Sequence, residues 1–184
     1  MDPLDIISQF YPRDSNLYNI LVEHSRKVAE KSLWIADQVK ELEPDRKFIE
    51  KAAMLHDIGI FLTRSEAIGC NGKKPYVCHG YLGRDLLDKL GLPKEYGLVC
   101  ERHTGAGITK KNIIENNLPV PRREMVPVSL EEKIICVADK YFSKSPPNNN
   151  KAKTTKKIIS NLKKIDTGHA QRFENWISEF GILD

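Results

Sequence analysis

This 184-residue chain has no apolar run near the ~20 residues that a membrane-spanning helix requires, so no membrane partner is expected. Met1 to Phe10 holds two aspartates and no basic residue, the wrong charge pattern for a secretory signal. Cysteine is sparse. Cys70, Cys78, Cys100 and Cys136 form no Cys-x-x-Cys motif, which excludes a zinc knuckle and a thioredoxin-like site. Such thiols read as reduced and structural, in keeping with a cytoplasmic protein. Acidic residues are missing altogether between Lys140 and Lys164, where eight lysines lie; these exceed the net charge of +4, so the rest of the chain is net acidic. A run of this kind reads as a solvated loop and helix face. Attraction of a phosphorylated ligand is the sharper alternative. Beyond Tyr141 and Phe142 the run lacks interleaved aromatics, so nucleic acid is not an expected partner.

What the chain does have is helical periodicity. Leu17, Ile20, Leu21, His24, Val28, Ile35 and Val39 fall on one helix face, with Asp14 or Ser15 as the cap. A second helix is expected over 45–56, after Pro44, with Gly59 letting the chain turn. Further helices are expected over 79–90, 93–103, 130–142, 151–165 and 168–180, with a short one inside the proline-punctuated 108–128 segment. Gly91 supplies a stop and Ser129 a cap. The connection over 60–78 has turn chemistry without a period, and no strand is expected. Ser143 to Asn150 reads as a surface loop. The expected architecture is all-α: one domain over 1–184, with a core over about 18–142 and closing helices over 151–184.

The chemistry gathers around His56-Asp57, an imidazole and a carboxylate on adjacent residues at the end of an apolar helical stretch. His24 lies on the apolar stripe of its helix. Asp139 sits among Ile134, Ile135, Val137 and Ala138, where a carboxylate is costly unless its charge is compensated. His79 and His103 stand at helix ends. Singly, each of these has a plain structural role available, as a core histidine or a cap. Jointly, six imidazole and carboxylate residues on or beside apolar helices fit a divalent-metal site in a helix core. Adjacent residues diverge by about 100° on a helix, so Asp57 could reach between two ions while His56 binds one.

The order His24, His56-Asp57, Asp139 resembles the HD superfamily of metal-dependent phosphohydrolases, and His56-Asp57-Ile58-Gly59 resembles its HDIG subgroup. The resemblance runs from about Tyr18 to Phe142. Blocks at 100–109 and 129–139 look like those of small HDIG proteins without an assigned substrate. His103-Thr104-Gly105 and the stretch from Glu132 to Asp139 are also similar to HD-type symmetrical dinucleoside tetraphosphate hydrolases.

This resemblance implies a compact helical domain of the HD type with its metal site in the helix core. The implied activity is hydrolysis of a phosphate ester or phosphoanhydride of a small molecule, a nucleotide in the first instance, by metal-activated water. His24, His56, Asp57 and Asp139 would hold a first ion. His79 and His103 would hold a second, with Asp57 bridging and His56 and Asp57 catalytic. Two divalent ions per chain are implied, iron or manganese first, with zinc, magnesium, nickel and cobalt as alternatives. Thr104, Gly105 and the turn to Lys110 offer donors to a phosphate.

One position departs from the pattern. A lysine that many two-metal members carry three residues after the HD aspartate is Ile60 here. Arg64, Lys73 or Lys74, on a connection pinned at both ends by candidate ligands, is expected to replace it as part of a lid. Lys133 and Lys140 read as surface lysines. Two other functions share the constellation: a di-iron oxygenase, and a metal-binding nucleotide sensor without turnover. A homodimer is compatible with all three.

Overall fold

The computed structural model describes residues 1–145 and 151–182. Nine α-helices lie in these residues: α1 (Pro3–Ile7), α2 (Asn16–Gln38), α3 (Arg46–Leu55), α4 (His79–Lys89), α5 (Lys94–Arg102), α6 (Lys110–Glu115), α7 (Leu130–Lys140), α8 (Thr155–Ile165) and α9 (Thr167–Glu179). Local chemistry sets their starts. Ser15, rather than Asp14, caps α2 by accepting from the Tyr18 N–H, and Asp45, Ser129 and Thr154 cap α3, α7 and α8 in the same way. Each oxygen satisfies an amide that the first helical turn leaves without a partner.

The buried face of α2 packs against α3 and α7, α4 lies along α5, and α5 reaches both α3 and α7. α8 and α9 pair with each other, and α9 also touches α7. One apolar cluster joins Val28, Ile35, Ile49, Ile135 and Phe173; a second joins Ile7, Leu21, Leu55, Ile58 and Leu87. No helix among the described residues is long and apolar enough to cross a membrane. All four cysteines are buried free thiols.

The 60–78 connection differs from the expectation. It contains a three-stranded sheet, with β1 (Thr63–Ser65) between β2 (Cys70–Asn71, antiparallel) and β3 (Lys74–Pro75, parallel). Strands of two or three residues are too short to show an alternating pattern, so pairing alone defines them.

Gly59 also has a different reason from the one expected. Its φ is −81°, open to any residue, but a Cβ there would lie 2.3 Å from the His79 carbonyl oxygen and 2.5 Å from the Gly83 nitrogen. The glycine lets the segment after His56-Asp57 touch the start of α4. Both contacts are backbone, so neither can swing aside. Gly59→Ala is expected to cost about 3 kcal/mol or more in urea unfolding, the upper range for overpacking. A loss below about 1 kcal/mol would show that α4 is free to shift.

Candidate metal centre

Five elements deliver the six expected residues to one place. His24 comes from the middle of α2, His56 and Asp57 from the end of α3, His79 from the first turn of α4, His103 from the end of α5, and Asp139 from the last turn of α7. All are buried, His56 and Asp57 completely. Their ligand-type atoms form two groups, each within 4.8 Å: His24, His56, Asp57 and Asp139 in one, Asp57, His79 and His103 in the other. Asp57 belongs to both, and its two oxygens divide between them. Oδ2 lies 3.0 Å from His56 Nε2 and 3.3 Å from His24 Nε2; Oδ1 lies 3.4 Å from both His79 Nε2 and His103 Nε2.

Three imidazoles are oriented by the same local device. Nδ1 of His56, His79 and His103 lies 2.6, 2.6 and 2.8 Å from the carbonyl oxygen three residues earlier, on Ala53, Tyr76 and Cys100. A carbonyl can only accept, so each Nδ1 carries a proton, and the neutral His79 and His103 rings turn their Nε2 lone pairs inward. At His56 burial opposes the charge, but Asp57 and Asp139 outweigh it and push the pKa up to about 9. The Ala53 and Cys100 carbonyls are among those that a helix end leaves without an intrahelical donor. Tyr11, itself buried, steadies the next stretch: its hydroxyl donates to the Ile58 carbonyl at 2.7 Å and accepts from the Phe61 N–H at 3.2 Å.

This donor set fits a divalent cation. His79 and His103 bring Nε2 atoms within 3.0 Å of each other, and both imidazoles are held neutral, His79 by burial and by His103, His103 chiefly by burial. Two lone pairs facing at that distance repel unless a cation stands before them. His56 Nε2 and Asp57 Oδ1 are buried and make no hydrogen bond of good geometry. Buried polar atoms of this kind are costly unless something else satisfies them, and a cation would.

Two lysines also enter the site. Lys144 Nζ lies 2.6 Å from Asp57 Oδ2, and Lys140 Nζ lies 2.6 Å from Asp139 Oδ2 and donates to the His103 carbonyl at 3.0 Å. Both side chains are about one-eighth exposed, at 13%. Burial opposes the Lys144 charge, but the Asp57 carboxylate outweighs it and holds the ammonium well above its ordinary range. Burial would raise Asp57 and Asp139, yet His56 and Lys144 around the first, and Lys140 and Lys144 around the second, hold both well below the usual carboxylate range.

These placements correct the reading of the lysine run. Lys140 is not a surface residue, and the segment read as a surface loop begins by burying Lys144; residues 146–150 lie outside the described residues. Lys133 is three-quarters buried at the side chain and sits near Glu179.

A cleft of about 570 Å³ opens beside the cluster, with His79, His103 and Asp139 in its lining. Thr104 and Gly105 line it, and so do Lys140, Lys144 and Lys153. Arg64, Lys73, Lys74 and Lys110 do not. Arg64 and Lys74 lie in the small sheet and Lys73 in the bend before β3, while the backbone N–H of Lys110, at the start of α6, donates to Glu124. Lys144, from a different part of the chain, is the lysine that the structure sets against Asp57.

Comparison with known proteins agrees with this architecture. The HD domain family model matches residues 21–143. An uncharacterized protein of Methanocaldococcus jannaschii is 37% identical over 121 residues, 65% of this chain and 64% of that protein. A tRNA (cytidine(56)-2′-O)-methyltransferase of Picrophilus torridus is 30% identical over 131 residues, 71% of this chain and 34% of the enzyme. The matches thus span less than two thirds of the first relative and about a third of the second. The HD domain of the L. monocytogenes phosphodiesterase PgpH superposes with a TM-score of 0.53 at 15% identity, covering 95% of this chain and 94% of that one. In its complex with cyclic-di-AMP the TM-score is 0.54 at 18% identity, covering 98% and 96%. At such identities the likeness establishes the fold. Because the family model runs from before His24 to beyond Asp139 and the superposed domain repeats the fold, the chain belongs to the HD domain family.

Proposed function

We propose that this protein is a metal-dependent phosphohydrolase that cleaves a phosphate ester or phosphoanhydride of a small molecule, a nucleotide in the first instance. The observation that carries the reading is the division of Asp57: one carboxylate whose two oxygens face two separate sets of imidazoles. On this reading His24, His56, Asp57 and Asp139 hold one ion, and Asp57, His79 and His103 hold another. Residues 1–184 act as one HD domain, with α8 and α9 closing it. When bound, divalent ions at these residues supply Lewis acidity and bring the pKa of a water toward neutrality.

The chain's own charges favour an anionic substrate. Without a metal, two carboxylates already face two ammonium groups and the His56 ring; with that ring neutral as a ligand, the carboxylates and ammonium groups would balance. With even one dication present, positive charge is in excess there, and a phosphoryl group balances it. In the reaction the oxygen of water bonds to phosphorus, the ester oxygen leaves with the electron pair of the broken P–O bond, and that oxygen takes up a proton. Lys140 and Lys144 line the cleft, placed to neutralise phosphoryl oxygens, and Thr104 and Gly105 line it too. Lys144 is thereby the cation that stands in for a lysine at Ile60. Arg64, Lys73 and Lys74 have no place in this arrangement.

The test joins composition to turnover. Protein purified without oxygen is expected to carry about two divalent ions per chain, iron or manganese first. It should release phosphate from at least one member of a nucleotide panel, and chelation should stop that release. His79→Ala and His103→Ala should each lower the metal content toward one. Phosphate release that survives chelation would sink the metal-dependent reading, and oxygen consumption without phosphate release would replace hydrolysis by oxygen chemistry.

A further inference from the structure

The fifth histidine, His169, lies outside the stretch matched by the family model, in the first turns of α9, and it faces the same cleft. It is 4% exposed. Its Nδ1 accepts the backbone N–H of Ala106 at 2.9 Å, so the proton of the neutral ring sits on Nε2. Burial is the main cause that pushes its pKa down to about 4, so the ring is neutral near pH 7 and offers one N–H donor. No hydrogen bond from that Nε2 is found among the described residues.

The ring is also held in place. Gly105, at φ +63°, leaves no room for a Cβ because His169 Nδ1 would be 2.5 Å from it. Arg172, one turn further along α9, donates to the Ala106 and Gly107 carbonyls at 2.7 Å each. α9 is thus stitched to the backbone that follows His103. A donor oriented by backbone and facing a cleft is built to meet an acceptor on a ligand.

The rest of that wall says what kind of ligand. Beyond the lysines the lining mixes apolar side chains, among them Val77, Ile158 and Ile165, with Asn112, Asn116, Asn161 and Asp166. A polyhydroxylated sugar phosphate carries hydroxyls on every face, so those set against the apolar side chains of this mixed wall would each come at a cost. A heterocyclic base has apolar faces and acceptors confined to its edge.

Resting on the phosphohydrolase reading, we propose that helices α8 and α9 form the base compartment of a nucleoside phosphate site, and that His169 is its specificity-determining residue, donating Nε2–H to an acceptor on the base edge. The phosphate end lies at His79, His103, Lys140 and Lys144. The base end is supplied by helices that follow the matched domain.

The test uses the full chain loaded with Mn²⁺, wild type and two variants. His169→Asn keeps an acceptor for the Ala106 N–H but loses the donor in the cleft, whereas His169→Gln keeps a donor amide there. Phosphate release is measured on a panel of purine and pyrimidine nucleotides and on phenyl phosphate, whose ring has no acceptor. For the best nucleotide, the ratio of its kcat/KM to that of phenyl phosphate is expected to fall about tenfold in His169→Asn, and by less in His169→Gln. An unchanged ratio, including equal losses on both substrates, would overturn the proposal by making His169 a packing residue.

A wild type that hydrolyses phenyl phosphate but no nucleotide would reject the base compartment and leave the phosphohydrolase standing. If no substrate turns over, calorimetric titration with nucleoside monophosphates and with inorganic phosphate reads the same site. Nucleoside monophosphates should bind more tightly than phosphate, with the difference reduced in His169→Asn. Equal affinities in the wild type would overturn the proposal whatever the activity.

Discussion

Asp57→Ala is expected to empty both halves of the metal site at once and to lower kcat/KM for phosphate release by at least about a thousandfold, ~4 kcal/mol on the transition-state scale. The reason is geometric: the two oxygens of Asp57 serve separate groups of imidazoles, and among the described residues no other side chain belongs to both. His24→Ala should cost the ion on its own side, and His79→Ala the other. Elemental analysis of the three variants reads the asymmetry directly. If Asp57→Ala retains one ion per chain, the bridging role is wrong. Stability should respond as well, because removing Asp57 leaves the Lys144 ammonium buried without the carboxylate 2.6 Å away. Breaking a buried pair by deleting one partner typically costs about 3–5 kcal/mol. Adding Lys144→Ala to Asp57→Ala should recover part of that loss, and the double-mutant cycle measures the coupling.

Lys144→Ala is the second large effect, and its sign depends on the metal. In chelated protein the substitution removes the cation that faces Asp57, so a loss of about 3–5 kcal/mol is expected, roughly 10 °C in Tm for a chain of this size. In metal-loaded protein a dication holds the same carboxylate, so the loss should be smaller. The rise in Tm on adding Mn²⁺ should therefore be larger in the variant than in the wild type. Catalytic efficiency on a phosphorylated substrate should fall by about tenfold or more, since a cation aimed at the phosphoryl oxygens is gone. A chelated variant as stable as chelated wild type would mean that the Lys144–Asp57 pair contributes nothing, and Lys140 would become the cation to test next.

Much of this was legible before any coordinates. The expected α2 and α3 differ from the observed helices by a residue or so at each end, because caps and apolar periodicity are both read within a short window. α8 starts at Thr155 rather than near 151, since Thr154 supplies the cap and the lysines before it are neutral to the pattern. The six metal-type residues could be named because histidine or aspartate on an apolar helix needs a reason. Lys144 could not be, because within a lysine run nothing local marks the one that folds inward. His169 carried no signal either; it is one polar residue in an amphipathic helix, and only Ala106, 63 positions earlier, gives its ring a direction.

By itself the sequence determined where the helices lie, which faces they bury, and which side chains could ligate a metal, all through spacing of 3.6 residues per turn and the chemistry of single residues. It even contained the orientation of three imidazoles, since each bonds a carbonyl three positions back. Tertiary structure decided the rest. It set His24 against Asp139 across 115 positions, split the oxygens of Asp57 between two groups, brought Lys144 to the Asp57 carboxylate, and lined the cleft with residues of α8 and α9. The physical reason is range: backbone hydrogen bonds and caps act over one turn, whereas which charge meets which carboxylate is settled only when helices distant in the chain pack and exclude water from between them.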